Sequence, residues 1–523
     1  MAPNEFRSVE ELLPLIGEYG RYQKLLDLVF SFFNLPIAMQ ILMMTFATIT
    51  PSWRCQDNNN NNTECVANSS VIFPPTDEKR CEYNRTSWEY IEVKEFSLVT
   101  QFNIDCNDKW ILQLLPSIFF VGWGIGSFVL GFIGDKFGRK FLLFPCTFVL
   151  ILIGFVSSFL TNIYLIIASR FLIGFCVFGT TTQAYILISE VVGSKQRPFA
   201  CNIIFLFTSI GWGLLALQAY LLKNWKTLSI VSSAPYILLL FTYKFVPESV
   251  QFLQSKGRHE EVMEVISTIA QWNNKTLPDD VKLLNSNTTE EQQPPQESSP
   301  DIFGQLTPKL VIESLQQGYI WMVVAMGYYG LYSATDDLGG SVYRDFVLLN
   351  LVDIPALFLA MYMLERIGRK YSTIVPMLLG GIACIIVGFI PRQGSYKVGR
   401  IIMGSIGKFF LGFGFNGIYT WSVELYPTRV RSLGMGFTNV CSRIGSAAAP
   451  WIAKGLQPVA PWLPFVALGV PSMVAFFVGL FLPETKENVS KVHDFSQSKS
   501  SEIVNDGCSG EAEEITDEKV ATD

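Results

Sequence analysis

Charged side chains and histidines are scarce in this chain of 523 residues. Asp, Glu, Lys and Arg together make up 16% of the sequence, while 50% of it is hydrophobic. A water-soluble protein of this length needs more charge on its surface, so the composition argues against an ordinary soluble fold. The two histidines, His259 and His493, both lie in polar stretches. The sequence therefore offers no histidine metal site and no histidine proton relay within a membrane.

Several familiar sequence signals are missing as well. The chain has no Gly-rich phosphate loop, no nucleophile elbow and no metal-ligand spacing, so nothing in it indicates an enzyme, a metal or a cofactor. It has no basic patch that would favour nucleic-acid binding. The polar first 27 residues lack the features of a cleavable signal peptide, so we expect the first hydrophobic run to be an uncleaved anchor.

The hydrophobic residues are grouped in runs of about 20, the length that crosses roughly 30 Å of hydrocarbon. This pattern predicts an all-α membrane protein with twelve membrane-spanning helices. The predicted spans are 28–49, 111–132, 141–161, 163–185, 203–222, 228–246, 319–339, 344–364, 372–391, 401–421, 434–455 and 461–482.

Positive charge in the short loops predicts which side of the membrane each loop faces, because Lys- and Arg-rich loops stay in the cytoplasm. Loops 132–140, 186–202 and 365–370 carry such charge, which predicts that both termini are cytoplasmic. Loop 391–400 carries three cations on the opposite side, but the other signals outweigh it. We expect the protein to lie in the plasma membrane.

These spans divide the chain into five parts. The predicted parts are an N-terminus (1–27), a first six-helix half (28–246) that includes an extracellular loop (51–108), a cytoplasmic linker (247–318), a second six-helix half (319–482) and an acidic tail that we expect to be disordered (483–523). The tail is a candidate for binding cytosolic partners.

Loop 51–108 has the content of an extracellular domain. Its four cysteines are an even number, as expected for disulfides in an oxidising compartment, and three pairings are open. It also holds three Asn-X-Ser/Thr sites, which predict N-glycosylation. The residues are Cys55, Cys65, Cys81 and Cys106 for the disulfides, and Asn61, Asn68 and Asn84 for the glycans.

Three short motifs occur twice, in the same order and about 230 residues apart. The pairs are DKFGRK (135–140) with ERIGRK (365–370), SEVVGSKQR (189–197) with VELYPTRVR (423–431), and VPES (246–249) with LPET (482–485). Each pair falls after corresponding spans of a six-span unit. The repetition predicts two six-helix halves with a substrate site between them, near the middle of the membrane.

The repeated motifs are rich in charge. Arg139 follows Asp135 by four residues, so one helical turn brings them together. Membrane orientation alone explains the cations but not the acids, which contribute little to it. We therefore predict that these charges pair between neighbouring helices as an inner gate. The gate residues are Asp135, Arg139, Glu190, Arg197, Glu248, Glu365, Arg369, Glu424, Arg431 and Glu484.

Two charges within predicted spans are candidates for the substrate site. Arg443 lies about 13 Å into its span at 1.5 Å per residue. A cation at mid-depth costs at least ~2.5–3.5 kcal/mol unless it faces water or a partner. Asp353 lies at a similar depth. Either Arg443 binds a substrate carboxylate, or Arg443 and Asp353 form a structural pair, or Asp353 holds a neighbouring backbone.

Aromatic residues at helical spacing complete the predicted site. Trp321 and Tyr328 are seven residues apart with Tyr329 beside them, and Phe415 and Tyr419 are four apart. Such rings attract a quaternary ammonium by roughly 0.5–2 kcal/mol each. Ordinary packing is the alternative, because aromatic residues make up 14% of the chain.

In combination, these motifs resemble the organic ion transporter family of the major facilitator superfamily, which contains organic cation, organic anion and carnitine or zwitterion transporters. The further matching stretches are FNIDCNDKW (102–110), RFLIGF (170–175), VPESVQFLQSKGR (246–258) and YYGLYSATDDLGGSVY (328–343), the last of which looks closest to the zwitterion branch. One departure is PESVQFL, where Gln251 and Phe252 stand at positions that are commonly Arg and Trp in the family.

The resemblance implies the major facilitator fold and transport by alternating access. It places Arg443 where anion and carnitine transporters carry arginine and cation transporters carry aspartate. The five aromatic residues match substrate-binding positions of the family, and Phe207 lies close to another. Anion transporters tend to have a lysine in span 8, where this chain has Leu357.

We therefore expect a transporter of small organic zwitterions or cations, such as carnitine- or betaine-like compounds, and not an enzyme. An organic anion exchanger is the main alternative, followed by a sugar porter and by a receptor that does not transport. The sequence predicts no cofactor. Coupling to Na⁺ or H⁺ stays open, because no sodium site can be recognised.

Overall fold

A computed structural model describes residues 5–6, 9–56, 71–74, 78–83, 85–104, 106–193, 196–277, 282–283, 307–392, 394, 396–426 and 430–486. The helices of its first part are α1 (Val9–Ile16), α2 (Arg21–Ala47), α3 (Leu98–Phe102), α4 (Trp110–Phe137), α5 (Arg139–Ser157), α6 (Ile163–Val191), α7 (Arg197–Leu222) and α8 (Trp225–Val231). The later helices are α9 (Val250–Ser255), α10 (His259–Trp272), α11 (Pro308–Ser333), α12 (Val342–Leu351), α13 (Asp353–Arg366), α14 (Arg369–Phe389), α15 (Tyr396–Leu425), α16 (Arg431–Pro450) and α17 (Leu463–Leu480).

Shorter elements connect these helices. The 3₁₀ helices are Glu78–Cys81, Arg85–Ser87, Cys106–Asp108, Ala234–Lys244 and Thr335–Leu338, and a π-helical turn covers Trp451–Gly455. The strands are β1 (Glu5–Phe6), β2 (Trp53–Cys55), β3 (Ile72–Phe73), β4 (Trp88–Tyr90) and β5 (Lys282–Leu283). Strand β1 pairs with β5 in parallel, and β2 pairs with both β3 and β4 in antiparallel orientation.

Nine helical segments of the described residues are long and apolar enough to cross a membrane. They are Arg21–Ala47, Cys106–Phe137, Arg139–Ser157, Ile163–Val191, Arg197–Leu222, Val342–Arg366, Arg369–Phe389, Tyr396–Leu425 and Leu463–Leu480. Each overlaps one of the predicted spans. The predicted spans 228–246, 319–339 and 434–455 are not among them.

The three exceptions have local causes. Helix α8 ends at Val231, and a 3₁₀ helix that begins with Ala234 and Pro235 replaces the continuous α-helix expected there. Helices α11 and α16 are long enough, but polar residues lower their hydropathy, among them Gln317 in α11 and Arg443 in α16. Polar residues within a membrane bundle commonly face its interior and mark function.

Helix pairings within the first part of the chain recur in the second part. Helix α2 packs on α7, α4 on α6, and α5 on both α6 and the Ala234–Lys244 helix. In the second part, α11 packs on α16, α13 on α15, and α14 on both α15 and α17. These are the pairings expected if each motif repeat belongs to a six-helix unit. We call the membrane helices of the first part (α2, α4 to α8 and the Ala234–Lys244 helix) the first set and those of the second part (α11 to α17) the second set. Helix α4 packs on α16 and joins the two sets.

The segment between α2 and α4 forms a small domain of its own, which we call the disulfide domain. Trp53 and Trp88 are buried on its sheet, and Phe73 stacks on Trp53 at 4.4 Å between ring centroids. A disulfide joins Cys81 to Cys106, and Cys55 is also disulfide-bonded. The remaining residues predicted to carry disulfides or glycans, which are Cys65, Asn61, Asn68 and Asn84, lie outside the described residues.

The linker helix α10 packs against the beginning of the chain. Val262 and Ile266 are fully buried on one face of α10. At its end, the Asn273 amide donates to the Ile16 carbonyl at 2.9 Å and accepts from the Tyr22 backbone at 3.2 Å. The linker therefore holds the entry to α2 in place.

Candidate functional site

Four aromatic side chains on α11 and α15 form a continuous cluster. The spacing of seven residues puts Trp321 and Tyr328 on one face of α11, and the spacing of four does the same for Phe415 and Tyr419 on α15. Trp321 lies 5.8 Å from both Phe415 and Tyr419, and Tyr328 stacks on Phe415 at 5.2 Å. The structure thus brings these predicted residues together.

Tyr329 of α11 faces the other way, toward the first set of helices. Its ring lies 4.8 Å from Phe120 of α4, and it also contacts Tyr328 at 5.3 Å. Trp212 of α7 lies 6.1 Å from Tyr328. The aromatic cluster therefore spans both sets of helices, and Phe120 and Trp212 join the residues predicted from sequence.

Arg443 of α16 lies against α4. Its guanidinium is 3.7 Å from the centre of the Trp123 ring, a cation–π contact, and its Nε donates to Asn439 at 3.3 Å. Its buried Nη1 has no hydrogen-bond partner among the described residues. A buried guanidinium nitrogen without a partner is suited to an incoming carboxylate, which accepts two such bonds.

Asp353 is held by a residue that the sequence analysis did not identify. Lys408 of α15 is fully buried, and its Nζ lies 2.9 Å and 3.0 Å from the two Asp353 oxygens. The hydroxyls of Tyr328 and Tyr332 donate to Asp353 Oδ2 at 2.8 Å and 3.0 Å. Of the alternatives for Asp353, the structure shows a structural pair, but with Lys408 in place of Arg443.

The signal for Lys408 was present in the sequence. It lies in the predicted span 401–421, and a cation at that position needs a partner for the same reason as Arg443. Depth alone does not choose a partner, since that depends on which helices are neighbours.

Phe207 does not join the aromatic cluster in the described part of the chain, whereas Tyr185 contacts it. Phe207 of α7 packs edge-on against Phe32 of α2 at 5.5 Å, on the side of α2. Tyr185 of α6 lies 6.4 Å from Tyr419, and so joins α6 to the aromatic cluster.

The repeated charged motifs make the same contacts twice. Glu248 accepts hydrogen bonds from the backbone N–H groups of Arg139 at 2.8 Å and Lys140 at 2.9 Å. Glu484 accepts them from Arg369 at 2.8 Å and Lys370 at 3.1 Å. Each glutamate thus caps the positive N-terminus of the helix that follows the motif, α5 or α14.

A glycine before each of these helices makes the cap possible. Gly138 has a φ of +112° and Gly368 a φ of +119°, which residues with a Cβ rarely adopt. A Cβ on either glycine would also lie within 2.6 Å of the capping glutamate.

A second acid completes each unit. The Ser249 hydroxyl donates to Glu190, and the Thr485 hydroxyl donates to Glu424 at 2.7 Å. The two units differ in their arginines. Arg369 binds Glu424 through Nε at 2.9 Å and 3.0 Å, whereas Arg139 binds Asp135 at 3.0 Å.

The other predicted gate residues lie nearby. Arg431 donates to the Tyr426 carbonyl at 3.3 Å, Arg197 begins α7, and Glu365 is exposed at the end of α13. Among the described residues, no group of three His, Cys, Asp or Glu side chains is arranged to hold a metal ion.

The two sets of helices meet at the end of the bundle that carries the disulfide domain. Phe46 of α2 lies 4.8 Å from Phe346 of α12. The Ser117 hydroxyl of α4 donates to the Ala447 carbonyl of α16 at 2.7 Å. The Asn350 amide of α12 donates to the Ser209 carbonyl of α7 at 2.8 Å.

Comparison with solved structures shows which fold the chain has. The chain is similar to the proton:xylose symporter XylE, of the major facilitator superfamily, bound to 6-bromo-6-deoxy-D-glucose. The identity is 13% and the TM-score 0.60, over 89% of this chain and 97% of that chain. A partially occluded inward-open conformation of XylE from E. coli gives 14% and 0.57, over 90% and 99%. The fold is that of the major facilitator superfamily.

Sequence relatives show the family to which the chain belongs. The sequence profile described as "Sugar (and other) transporter" matches residues 65–491. Solute carrier family 22 member 13 from Homo sapiens is 32% identical over 76% of this chain and 71% of its own length. The chain therefore belongs to the sugar and other transporter family and, within it, to solute carrier family 22.

Two further relatives cover nearly the whole chain. Solute carrier family 22 member 1 from Bos taurus is 29% identical over 92% of this chain and 91% of its own length. Organic cation/carnitine transporter 2 from Homo sapiens is 27% identical, and the alignment covers 92% of each. These comparisons confirm the family expected from the motifs, and identify a multi-pass membrane transporter of small organic ions that is not an enzyme.

Proposed function

We propose that this protein transports small organic zwitterions, such as carnitine- or betaine-like compounds, by alternating access between two six-helix halves. The observation that carries the proposal is the arrangement of charge between α11, α13, α15 and α16. Lys408 neutralises Asp353, while Arg443 keeps one buried nitrogen without a partner. The carboxylate of the substrate then binds Arg443, and the ammonium group of the same substrate binds the aromatic cluster by cation–π attraction.

The charge balance also weighs against a plain monovalent cation. The charged side chains at this site are Arg443, Lys408 and Asp353, which leaves one net positive charge for the substrate to meet. A zwitterion compensates it with its carboxylate and places its own cation on aromatic rings. The name of the relative organic cation/carnitine transporter 2 is consistent with such a substrate.

An organic anion exchanger is the second candidate. The same net positive charge favours it, because a monoanion would neutralise Arg443 without needing the aromatic rings. The two proposals differ in whether a quaternary ammonium group improves binding.

We further propose an orientation in the plasma membrane with both termini in the cytoplasm and the disulfide domain outside, following the positive charges of the short loops. In this orientation the contacts between Phe46 and Phe346 and between Ser117 and Ala447 close the outer side. The motif charges then lie at the inner ends of the helices. Glycans on the disulfide domain and cytosolic partners of the acidic tail belong to the same proposal.

An uptake panel in expressing cells tests the substrate class. The probes are labelled carnitine, tetraethylammonium, para-aminohippurate and glucose, with sodium and pH varied. We expect carnitine uptake that unlabelled betaine reduces. Preference for para-aminohippurate would support the anion exchanger, and uptake of glucose alone would contradict transport of organic ions.

The variant Arg443→Ala tests the role of the arginine. We expect it to abolish uptake of carboxylate-bearing probes, because removing a charge-assisted hydrogen-bond donor leaves the carboxylate buried without compensation. Arg258→Ala, which removes an exposed arginine of the linker, is the matched control. Equal loss of carnitine and tetraethylammonium uptake in Arg443→Ala would show a structural arginine instead.

A further inference from the structure

Helix α2 carries a buried polar stripe that the proposed substrate site does not use. The stripe consists of Asp27, Ser31 and Asn34, which are spaced by four and three residues and so share one face of the helix. Their exposures are 1%, 0% and 2%. Acidic residues in membrane helices are rare and usually serve a function, so this stripe needs an explanation.

Each residue of the stripe has a buried polar atom without a hydrogen-bond partner in the described part of the chain. The atoms are Asp27 Oδ1, Ser31 Oγ and Asn34 Nδ2. Serine in a helix commonly donates to the carbonyl four residues earlier, and Ser31 does not. Three such atoms on one face point to a ligand or a proton, because buried polar groups are otherwise satisfied.

The second oxygen of Asp27 has one partner. The Tyr19 hydroxyl donates to Asp27 Oδ2 at 2.6 Å, and the ring of Tyr19 packs edge-on against Phe199 of α7 at 6.1 Å. Tyr19 therefore covers the stripe from the end of the bundle that carries the repeated motifs.

The groups around Asp27 come from three helices. Lys24 lies one turn before it on α2, with Nζ 5.7 Å from the Tyr19 ring. Helix α7 contributes Arg197 and the Cys201 thiol, and α6 contributes the Tyr185 hydroxyl beside that thiol. Tyr185 in turn contacts Tyr419 of the aromatic cluster, so the stripe is connected to the substrate site through α6 and α7.

We propose that Asp27 is a proton-binding carboxyl group of the first membrane helix, with the proton on Oδ1, the oxygen that has no hydrogen-bond partner among the described residues. The carboxylate gains one proton from water and its charge changes from −1 to 0. Ser31 lies one helical turn from Asp27, and its hydroxyl and Asp27 Oδ1 are not hydrogen-bonded to each other. A sodium ion fits less well, because it needs more oxygen ligands than these two side chains provide.

The consequence for transport rests on the proposed function. Asp27 lies where α2, α6 and α7 meet, at the end opposite the contacts that close the bundle. A proton bound there is released when these helices move apart, which would couple substrate movement to the proton gradient.

Infrared difference spectroscopy on the purified full-length protein tests proton binding without any substrate. The signal is the C=O stretching band of a protonated carboxyl group, followed through a pH titration. We expect the wild type to show this band and Asp27→Asn to lose it. Asp108→Asn, which changes an exposed aspartate of the 3₁₀ helix Cys106–Asp108, is the matched control and should keep it.

Two milder variants keep the test valid if Asp27→Asn fails to fold. Ser31→Ala removes a hydroxyl that is not hydrogen-bonded to Asp27, so the band should appear at the same pH as in the wild type. Tyr19→Phe removes the donor to the ionised form, so the band should persist to higher pH. No shift in Tyr19→Phe, or a shift to lower pH, would overturn the assignment.

Two outcomes would overturn the proposal directly. A band unchanged in Asp27→Asn would assign it to another carboxyl group. Absence of the band in the wild type in both sodium and potassium would mean that Asp27 stays ionised and is neutralised by Arg197. A band that appears in potassium but not in sodium would mean that sodium neutralises the ionised carboxylate instead. Labelled carnitine uptake is a separate measurement, and its pH dependence should be lost in Asp27→Asn. If the wild type takes up no carnitine, the proposed substrate is wrong, but the infrared result still tests proton binding at Asp27.

Discussion

Lys408 and Asp353 form an ion pair that is buried among tyrosines. Both side chains are less than 8% exposed, and two tyrosine hydroxyls fill the remaining acceptor sites of the carboxylate. The pair joins α15 to α13, next to the Tyr328 that takes part in the aromatic cluster. It therefore fixes both the position of that tyrosine and the charge available to a substrate.

Breaking this pair should be costly. In Lys408→Met, Asp353 is left as a buried charge without a partner, and the expected loss of stability is about 3–5 kcal/mol. The double variant Lys408→Met with Asp353→Asn removes that charge and should recover most of the loss. Thermal unfolding of the purified protein measures both, and Lys397→Met is an exposed control. A double variant no more stable than the single one would show that the pair is not the cause.

At the scale of elements, each repeated motif is a helix cap built from distant residues. The loop glycine, the backbone N–H groups of the following helix and a glutamate more than 100 residues later come together in both parts of the chain. The acid-to-hydroxyl contacts Glu190–Ser249 and Glu424–Thr485 repeat as well. The charges that looked like a gate in the sequence thus also stabilise each helix end.

The two arginines of the repeat should differ in their contribution to stability. The Arg369–Glu424 pair is 17% exposed on both sides, whereas Asp135, the partner of Arg139, is 76% exposed. We expect Arg369→Ala to cost about 1.5–3 kcal/mol, as for hydrogen bonds to charged groups. Arg139→Ala should cost about 0.2–1 kcal/mol, as for an exposed pair. Thermal unfolding of the two variants side by side compares them, and equal losses would contradict the asymmetry.

The disulfide domain docks on the start of α8 through one acid. Glu95 accepts from Lys226 at 2.8 Å and from Asn224 at 3.2 Å, and these contacts hold the pKa of Glu95 below its ordinary value. A lowered pKa stabilises the folded form above the unfolded value and loses that contribution as pH falls through the folded value.

A pH series tests this contact. Glu95→Gln should be less stable than the wild type at neutral pH and equally stable in acid, where the wild-type carboxyl is also protonated. High salt should shrink the difference, because the pair is exposed. The control is Glu92→Gln, an exposed acid of the same domain. A difference independent of pH would rule out the ionised Glu95 as its cause.

At the scale of the whole molecule, the two sets of helices contact each other near the disulfide domain as well as around the aromatic cluster. Phe46 with Phe346 and Ser117 with Ala447 close the end near the disulfide domain, and Ser209 with Asn350 joins the two sets midway along α7. Alternating access requires this end to open during the cycle. Any covalent link across it should therefore stop transport.

A cross-link between α4 and α16 tests this expectation. In the double variant Ser117→Cys with Ala447→Cys, oxidation should abolish labelled carnitine uptake and a reducing agent should restore it. The two single variants are the controls, because neither can form the link. Full uptake after complete cross-linking would mean that this end does not open.

The sequence by itself determined the class of this protein. Apolar runs, three repeated motifs and the positive loops do not depend on long-range contacts, since they reflect the thickness of the membrane and a duplication of the chain. The same holds for Arg443 and for the aromatic residues of α11 and α15, whose helical spacing is local. For this reason the family, and the residues that α11 and α15 bring together, could be predicted.

Only the tertiary structure decided which charges are partners. Asp353 pairs with Lys408 and not with Arg443, and Glu424 pairs with Arg369. Asp27 lies on a polar face of α2 whose residues have buried atoms without partners among the described residues. Inside a membrane a charge must find some partner, and sequence shows that need. The identity of the partner depends on which helices are neighbours and how they are rotated, and these are set by packing over the whole bundle.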